Sequence, residues 1–242
     1  MLQTVVRDLL GELVEFPSAV ASAAVGYAKS KFSNTPNADQ DVSIHIHGGT
    51  GAGPGLYHPW RNFLLSYLHN PPPIHLPRRI IFRARHLPHY DALIPTDNET
   101  SEVHIGHSVG GLVCLRRLVL YPEKVLRVIL VATPVNPEHI HPWASEYIVK
   151  GILGIHAEAL PVYLESLKVI LQNPAMQRRI TVISSEGDKF FPPEACFIPG
   201  AEHKEVPECS HIGFAYKERA KETIGNTVNT AISPMRQKRQ AA

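Results

Sequence analysis

Nine residues near the middle of the chain constrain its fold more than any other segment. Residues 103–111 read Val-His-Ile-Gly-His-Ser-Val-Gly-Gly, so a short apolar strand runs into a serine with a glycine two positions before it and another two positions after it. In such a Gly-x-Ser-x-Gly sequence the serine occupies a sharp strand-to-helix turn with unfavourable backbone angles. Glycine is needed at 106 and 110, because a Cβ at either position would collide with the neighbouring strand or helix. The pattern predicts that the turn presents the hydroxyl of Ser108 at the C-terminal edge of a sheet.

The residues after this turn extend the pattern. Residues 112–120 carry apolar side chains at helical spacing, Pro122 ends that helix, and residues 128–132 form an apolar run typical of a strand buried in a parallel sheet. Strand, serine turn, helix, turn and strand together resemble the central unit of the α/β-hydrolase superfamily. The resemblance implies an α/β-hydrolase fold, with a mostly parallel sheet of about six strands and helices on both faces. A Gly-Ser-Gly turn inside an ordinary βαβ unit is the alternative.

A glycine-rich segment follows the first strand of this body, which we predict at residues 42–47. Glycine occupies 48, 49, 51, 53 and 55, yet neither a Gly-Lys-Ser/Thr ending nor a Gly-x-Gly-x-x-Gly match in register indicates a phosphate site. The His-Gly-Gly start resembles the HGG-type oxyanion loop of hydrolases, including proline iminopeptidases. By this resemblance the N–H groups of Gly49 and Val109 hold the oxyanion, with Thr50 as the alternative to Gly49.

A serine hydroxyl becomes a good nucleophile only beside a base that an acid orients. In the superfamily the acid and then the histidine follow the serine along the chain. The turn after the predicted strand 180–184 resembles the family's acid turn and makes Asp188 the candidate acid, with Glu186 as its alternative. Residues 206–214 resemble the final histidine loop, so His211 is the candidate base, although Ser210 stands where relatives usually have glycine.

These residues predict a serine hydrolase that cleaves a small carboxylic ester, or a related acyl compound, through an acyl-enzyme on Ser108. No cofactor is required for this chemistry. Two alternatives remain open at this point. One is a non-catalytic protein of the same fold that binds a ligand or partner, and the other is an acyltransferase that delivers the acyl group to an alcohol.

The histidine content raises the question of a metal site. The chain has 14 histidines, including the His-x-His pairs 45/47 and 139/141, each of which would put two imidazoles on one side of a strand. Neither pair has a third ligand at zinc-like spacing in the sequence. The sequence therefore predicts no metal site.

Composition sets the remaining limits. A chain of 242 residues with 44% hydrophobic and 19% charged residues is typical of one globular domain, and a net charge of +2 does not indicate a nucleic-acid partner. Three cysteines without Cys-x-x-Cys spacing favour a reducing compartment, so we expect a cytoplasmic protein. No apolar run is long enough for a membrane span. The oligomeric state is left open.

The chain divides into three parts on these patterns. Residues 1–40 predict an N-terminal helical extension and linker, which packs on the domain or a partner or, as the less favoured alternative, rests on a membrane surface. Residues 41–232 form the hydrolase domain, and residues 233–242 a disordered basic tail. Within the domain, residues 137–176 carry helix-like apolar spacing and predict either a small helical cap over the active site or ordinary helices that cover the sheet.

The sequence also predicts several shorter helices, strands and loops. We predict a helix over 57–68, a loop at 70–75, a strand at 79–83 and a loop or single turn over 85–102. A last helix is expected over 215–224.

Overall fold

A computed structural model describes residues 41–48, 54–76, 100–140 and 160–240. Within these ranges, six parallel strands form one sheet in the order β2-β1-β3-β4-β5-β6. The strands are β1 Val42–His47, β2 Ile74–His75, β3 Ser101–His107, β4 Val125–Val131, β5 Ile180–Ser184 and β6 Glu202–Glu205. The α-helices are α1 His58–Tyr67, α2 Gly110–Leu120, α3 Leu160–Leu171, α4 Pro174–Gln177, α5 Pro193–Cys196 and α6 Glu218–Gln240, and 3-10 turns occupy Pro54–Tyr57, Pro137–His139 and Ile212–Ala215.

Alternation along the strands supplies two apolar cores, one on each face of the sheet. On one face Val128 and Leu130 of β4 pack with α2, α3 and α5. On the other face Ile129 and Val131 pack with α1 and α6. The predicted mostly parallel sheet of about six strands, covered by helices on both faces, is confirmed.

Two strands were not predicted as such. β2 has only two residues and lies inside the predicted loop 70–75, where Ile74 pairs with Ile44. β6 reads Glu-His-Lys-Glu and is largely exposed, because it is the edge strand beside β5. Neither carries the apolar signal that identifies a buried strand.

β4 also differs slightly from the prediction. It starts at Val125 and ends at Val131, since Ala132 has a φ of 47°, outside the strand region.

The last helix is much longer than predicted. α6 has 23 residues and continues through the segment 233–240 that the sequence assigned to a disordered tail. Ile224, Val228 and Ile232 are buried at intervals of four residues, so one helical face stays packed on the sheet beyond the predicted end. Arg236 anchors this part by donating from Nη2 to the carbonyl oxygen of Asn70 at 3.1 Å.

The candidate cap is described only in part. In α3, Leu167 and Ile170 are buried in the core with Leu115 and Leu118 of α2, so this helix covers one face of the sheet. Residues 141–159, the N-terminal extension 1–40, the strand predicted at 79–83 and most of the loop 85–102 lie outside the described residues. No helix in the described ranges is long and apolar enough to cross a membrane.

The strand order locates the place where a site can form. From β1 the chain passes to β2 on one side and then returns to β3 on the other, so its direction across the sheet reverses beside β1. Ligand sites in open α/β sheets lie at the carboxyl ends of the strands at such a reversal. The carboxyl ends of β1 and β3 lead to Gly48 and to Ser108.

Candidate active site

Ser108 occupies a strained turn between β3 and α2. Its φ is 56°, in the left-handed region that non-glycine residues rarely adopt, and its N–H donates to the carbonyl oxygen of Val131 at 2.9 Å. The residue as a whole is 6% exposed. This is the geometry that the sequence predicted for a serine held out from the end of a strand.

The two flanking glycines are required by close backbone contacts. A Cβ on Gly106 would lie 2.4 Å from the Cα of Gly111, and a Cβ on Gly110 would lie 2.5 Å from the carbonyl oxygen of His47. Backbone atoms have no freedom to move away from such contacts. The turn at Ser108 is therefore fixed between α2 and the end of β1.

Asp188 and His211, far apart in the sequence, meet at the carboxyl end of the sheet. Nδ1 of His211 lies 2.8 Å from Oδ2 of Asp188, and the two residues are 8% and 2% exposed. The other carboxylate oxygen, Oδ1, accepts the N–H groups of Phe190 at 2.8 Å and Phe191 at 3.0 Å. Glu186, the alternative acid, is exposed to solvent. Asp188 is thus held on both oxygens, one of which orients the imidazole.

Two serine hydroxyls organise the loops that carry these groups. Oγ of Ser185 accepts the N–H of Gly187 at 3.0 Å and that of Cys209 at 2.9 Å, which ties the acid turn to the histidine loop. Oγ of Ser210 accepts the N–H of Gly213 at 3.0 Å, at the start of the 3-10 turn after the histidine. The serine that replaces the usual glycine therefore has a local role in shaping this loop.

His107, the residue before the serine, has no role in any of the sequence motifs. Its Nε2 donates to the carbonyl oxygen of His211 at 2.9 Å, and its Nδ1 lies 2.8 Å from the hydroxyl of Tyr57. A carbonyl can only accept, so Nε2 carries the proton and Nδ1 accepts from Tyr57. The His107 ring also lies 4.6 Å from the His211 ring, centroid to centroid. His107 thus links the serine turn to the candidate base, a link that no sequence motif encodes.

The neutral state of His107 gives a testable pH dependence of stability. Burial lowers the pKa of His107 well below its ordinary range, and the neighbouring His211 lowers it further. The unfolded chain, with an ordinary histidine pKa of about 6.5, therefore takes up a proton that the folded chain does not, so stability is full above that pH and falls below it. We expect wild type to lose about 1.4 kcal/mol per pH unit more than His107→Phe below pH 6.5.

Denaturant unfolding of both proteins between pH 5 and pH 8 measures this difference. Above about pH 6.5 the two stability curves should run parallel. Parallel curves over the whole range would show that His107 does not titrate differently in the folded and unfolded states.

Of the predicted oxyanion donors, Val109 lies among the described residues, whereas Gly49 and its alternative Thr50 do not. Val109 directly precedes α2, at the helix end whose N–H groups lack partners within the helix. Gly48 begins the glycine-rich loop, and a Cβ there would lie 2.1 Å from the ring of Tyr57. The roles of Val109, Gly49 and Thr50 as oxyanion donors stay predictions.

A cavity of about 560 Å³ opens on another part of the surface. It lies beside the end of β5 and contains none of Ser108, Asp188 and His211, so its position does not fit an acyl pocket. Its lining residues are Asn136, His139, Ser184, Pro193, Glu194, Phe197, His203, Lys204 and Glu205.

A row of stacked histidines crosses β2, β1 and β3, with His45, His47 and His104 buried and His75 exposed. His45 and His47 point to one side of β1, as the His-x-His spacing predicted, and His104 of β3 stacks between them at 4.9 and 5.2 Å. His75 of β2 stacks on the outer side of His45 at 4.9 Å. Burial is the main cause that lowers the pKa of each of these four imidazoles. The four histidines come from three strands, so sequence spacing could not reveal the row.

The fold of this chain is similar to that of several solved hydrolases. An esterase from Thermogutta terrifontis matches with a TM-score of 0.58 at 16% identity, over 79% of this chain and 90% of that chain. MGS-M2, an α/β-hydrolase enzyme from a Medee basin deep-sea metagenome library, matches with a TM-score of 0.54 at 15% identity, over 83% and 92%. Naproxen esterase from Bacillus subtilis matches with a TM-score of 0.54 at 12% identity, over 81% and 86%.

No family model and no curated protein matches the sequence. Structural similarity at such low identity establishes the fold and leaves the activity open. Together with the parallel sheet and the turn at Ser108, it shows that the protein has the α/β-hydrolase fold.

Proposed function

We propose that this α/β-hydrolase-fold protein is a serine hydrolase that cleaves a small carboxylic ester through an acyl-enzyme on Ser108. The observation that carries the proposal is the 2.8 Å hydrogen bond between Asp188 and His211, at the sheet end where Ser108 occupies its strained turn. A buried carboxylate that orients an imidazole near a strained serine turn has an evident use in nucleophilic catalysis. A purely structural turn would not need all three groups.

The roles follow from the bonds that each group makes. Asp188 accepts the Nδ1 proton of His211, so the lone pair of the neutral imidazole lies on Nε2. Nε2 takes the proton of Ser108 as the serine oxygen attacks the acyl carbonyl, and it then returns the proton to the leaving alcohol. Water hydrolyses the acyl-enzyme by the same route in reverse. The chain thereby supplies nucleophile, base and acid from three separate loops.

Two groups complete the proposed site. The N–H groups of Gly49 and Val109 hold the oxyanion, and each such donor contributes about 10²–10³ in turnover. Aromatic rings enclose the base, since the rings of Phe190 and Phe191 lie 5.3 and 5.0 Å from that of His211. Rings packed around the imidazole limit its movement and exclude water from the Asp188 bond.

The substrate class and the compartment belong to the same proposal. The solved structures with a similar fold include esterases, which favours a small ester over other acyl compounds. All three cysteines are free and buried, which fits a reducing compartment such as the cytoplasm.

Labelling with a fluorophosphonate probe tests the proposal directly. The probe reacts with serines that a neighbouring base activates, so we expect one adduct per chain, on the peptide that contains Ser108. Mass spectrometry of the digested protein locates the adduct. A folded protein that takes up no probe would instead be the non-catalytic binding protein of the same fold.

A further inference from the structure

Three metal-binding groups converge beneath the serine turn. One ring nitrogen of His47, one ring nitrogen of His104 and Sγ of Cys114 lie within 4.8 Å of one another, and all three residues are buried. They come from β1, β3 and α2. None belongs to the proposed triad, and the sequence prediction of no metal site considered only ligands close to each His-x-His pair.

The second nitrogen of His104 has the partner that metal-bound histidines usually have. Its Nε2 lies 2.8 Å from Oε2 of Glu102, and Arg117 holds the same carboxylate with two further bonds of 2.9 and 2.7 Å. Because a carboxylate accepts, the Nε2 of His104 donates and its Nδ1 keeps a lone pair directed at the cluster. A carboxylate bonded to the far nitrogen fixes the ring and strengthens it as a ligand.

We propose that His47, His104 and Cys114 bind a zinc ion, with a water molecule as the fourth ligand. Two imidazoles and a thiolate are a donor set that zinc prefers. The two nitrogen atoms are 3.0 Å apart. In a tetrahedral site with zinc–nitrogen bonds of about 2.0–2.1 Å they would be about 3.3 Å apart, so these two ligands are almost in position. The sulfur lies within 4.8 Å of a nitrogen of each histidine and has to approach both of them when the ion binds.

Binding requires a small rearrangement of protons. His104 binds through Nδ1 as it stands, while His47 transfers its proton from Nε2 to Nδ1. Cys114 loses its thiol proton to solvent and binds as a thiolate. The thiolate offsets one of the two charges of the ion, while the Glu102 carboxylate is already paired with Arg117 and acts by polarising His104.

The site would connect the elements that shape the proposed active centre. His47 immediately precedes Gly48, and Cys114 lies one turn after Gly110 in α2. The sulfur of Cys114 packs closely against Gly106, since a Cβ on this glycine would lie 2.7 Å from Sγ. An ion here ties the end of β1 to β3 and α2. The three ligands lie outside the proposed triad, so the ion would stabilise the turn at Ser108 through β1, β3 and α2, and the inference goes beyond the proposed hydrolase activity.

Cobalt substitution in the full-length chain tests the site with a readout that does not depend on catalysis. Cobalt(II) replaces zinc in such sites, and a cobalt–thiolate bond gives a strong near-ultraviolet charge-transfer band that histidines elsewhere in the chain do not give. We expect one equivalent of thiolate-bound cobalt per chain, displaced by zinc. Glu102→Gln should weaken binding about 10–100-fold, because it removes the carboxylate behind His104.

The variants locate the ligands. Cys114→Ala should lose the band and His47→Gln should lose at least tenfold in affinity, whereas His45→Gln, in the same histidine row but outside the cluster, should bind as wild type. The double variant Cys196→Ala/Cys209→Ala keeps Cys114 as its single thiol and should retain the band even if Cys114→Ala does not fold. Absence of the band in wild type, or its loss in the double variant, would overturn the site. Fluorophosphonate labelling of the same samples reports on Ser108 independently.

Discussion

Ser108→Ala is expected to abolish fluorophosphonate labelling and to lower hydrolysis of short p-nitrophenyl esters by about 10⁶-fold, the loss seen when a serine protease loses its nucleophile. Alanine has no oxygen to attack the acyl carbonyl, and the donors that remain can only stabilise attack by water. Initial rates on the purified variant and wild type measure the effect. Ser108 itself adopts a φ of 56°, which alanine tolerates no worse, so the fold should survive the substitution.

A matched control separates the nucleophile from a general effect of losing a serine. Ser66 lies near the end of α1, away from the proposed site, and its hydroxyl donates only to the carbonyl oxygen of Phe63. Ser66→Ala should therefore keep wild-type labelling and activity. If Ser108→Ala, folded by circular dichroism, retains activity within tenfold of wild type, a barrier change of only about 1.4 kcal/mol, the assignment of Ser108 is wrong.

Asp188→Asn is expected to lower kcat by about 10⁴-fold, as the corresponding change does in a serine protease. The carboxylate accepts the Nδ1 proton of His211, and an amide nitrogen in its place would force that proton onto Nε2, where it blocks removal of the serine proton. The amide oxygen can still accept the N–H groups of Phe190 and Phe191 from the Oδ1 position. The variant therefore tests the tautomer of the base with little change to the turn.

Glu186→Gln is the control for this effect. Glu186 lies two residues before Asp188 on the same turn and is exposed to solvent, so the loss of its charge should change kcat by less than about threefold. Rates measured under saturating ester give kcat for both variants. Equal losses, or a larger loss for Glu186→Gln, would reverse the assignment of the acid.

Local sequence was sufficient for the sheet strands that are buried and apolar and for the serine turn. Residues 42–47 and 180–184 are predicted and observed at the same bounds, because apolar residues that alternate with polar ones, or follow one another between turns, are typical of strands. The edge strand β6 was missed, since an exposed strand needs no apolar pattern and exists only through its bonds to β5. The extent of α6 was missed because its later turns depend on a face packed against the sheet.

The sequence by itself determined which side chains are the candidates for a catalytic triad and their order along the chain. Glycine spacing around Ser108 specifies a turn, and turn-forming residues after a strand point to Asp188, since both depend on local backbone geometry. The tertiary structure decided which groups meet. Only the fold chooses Asp188 over Glu186 as the partner of His211, gives His107 its two hydrogen bonds, and brings His47, His104 and Cys114 together. These contacts join residues 10 to 104 positions apart. The register of β1 against β3 fixes the contact between His47 and His104, because a shift of one residue would turn each side chain to the opposite face of the sheet.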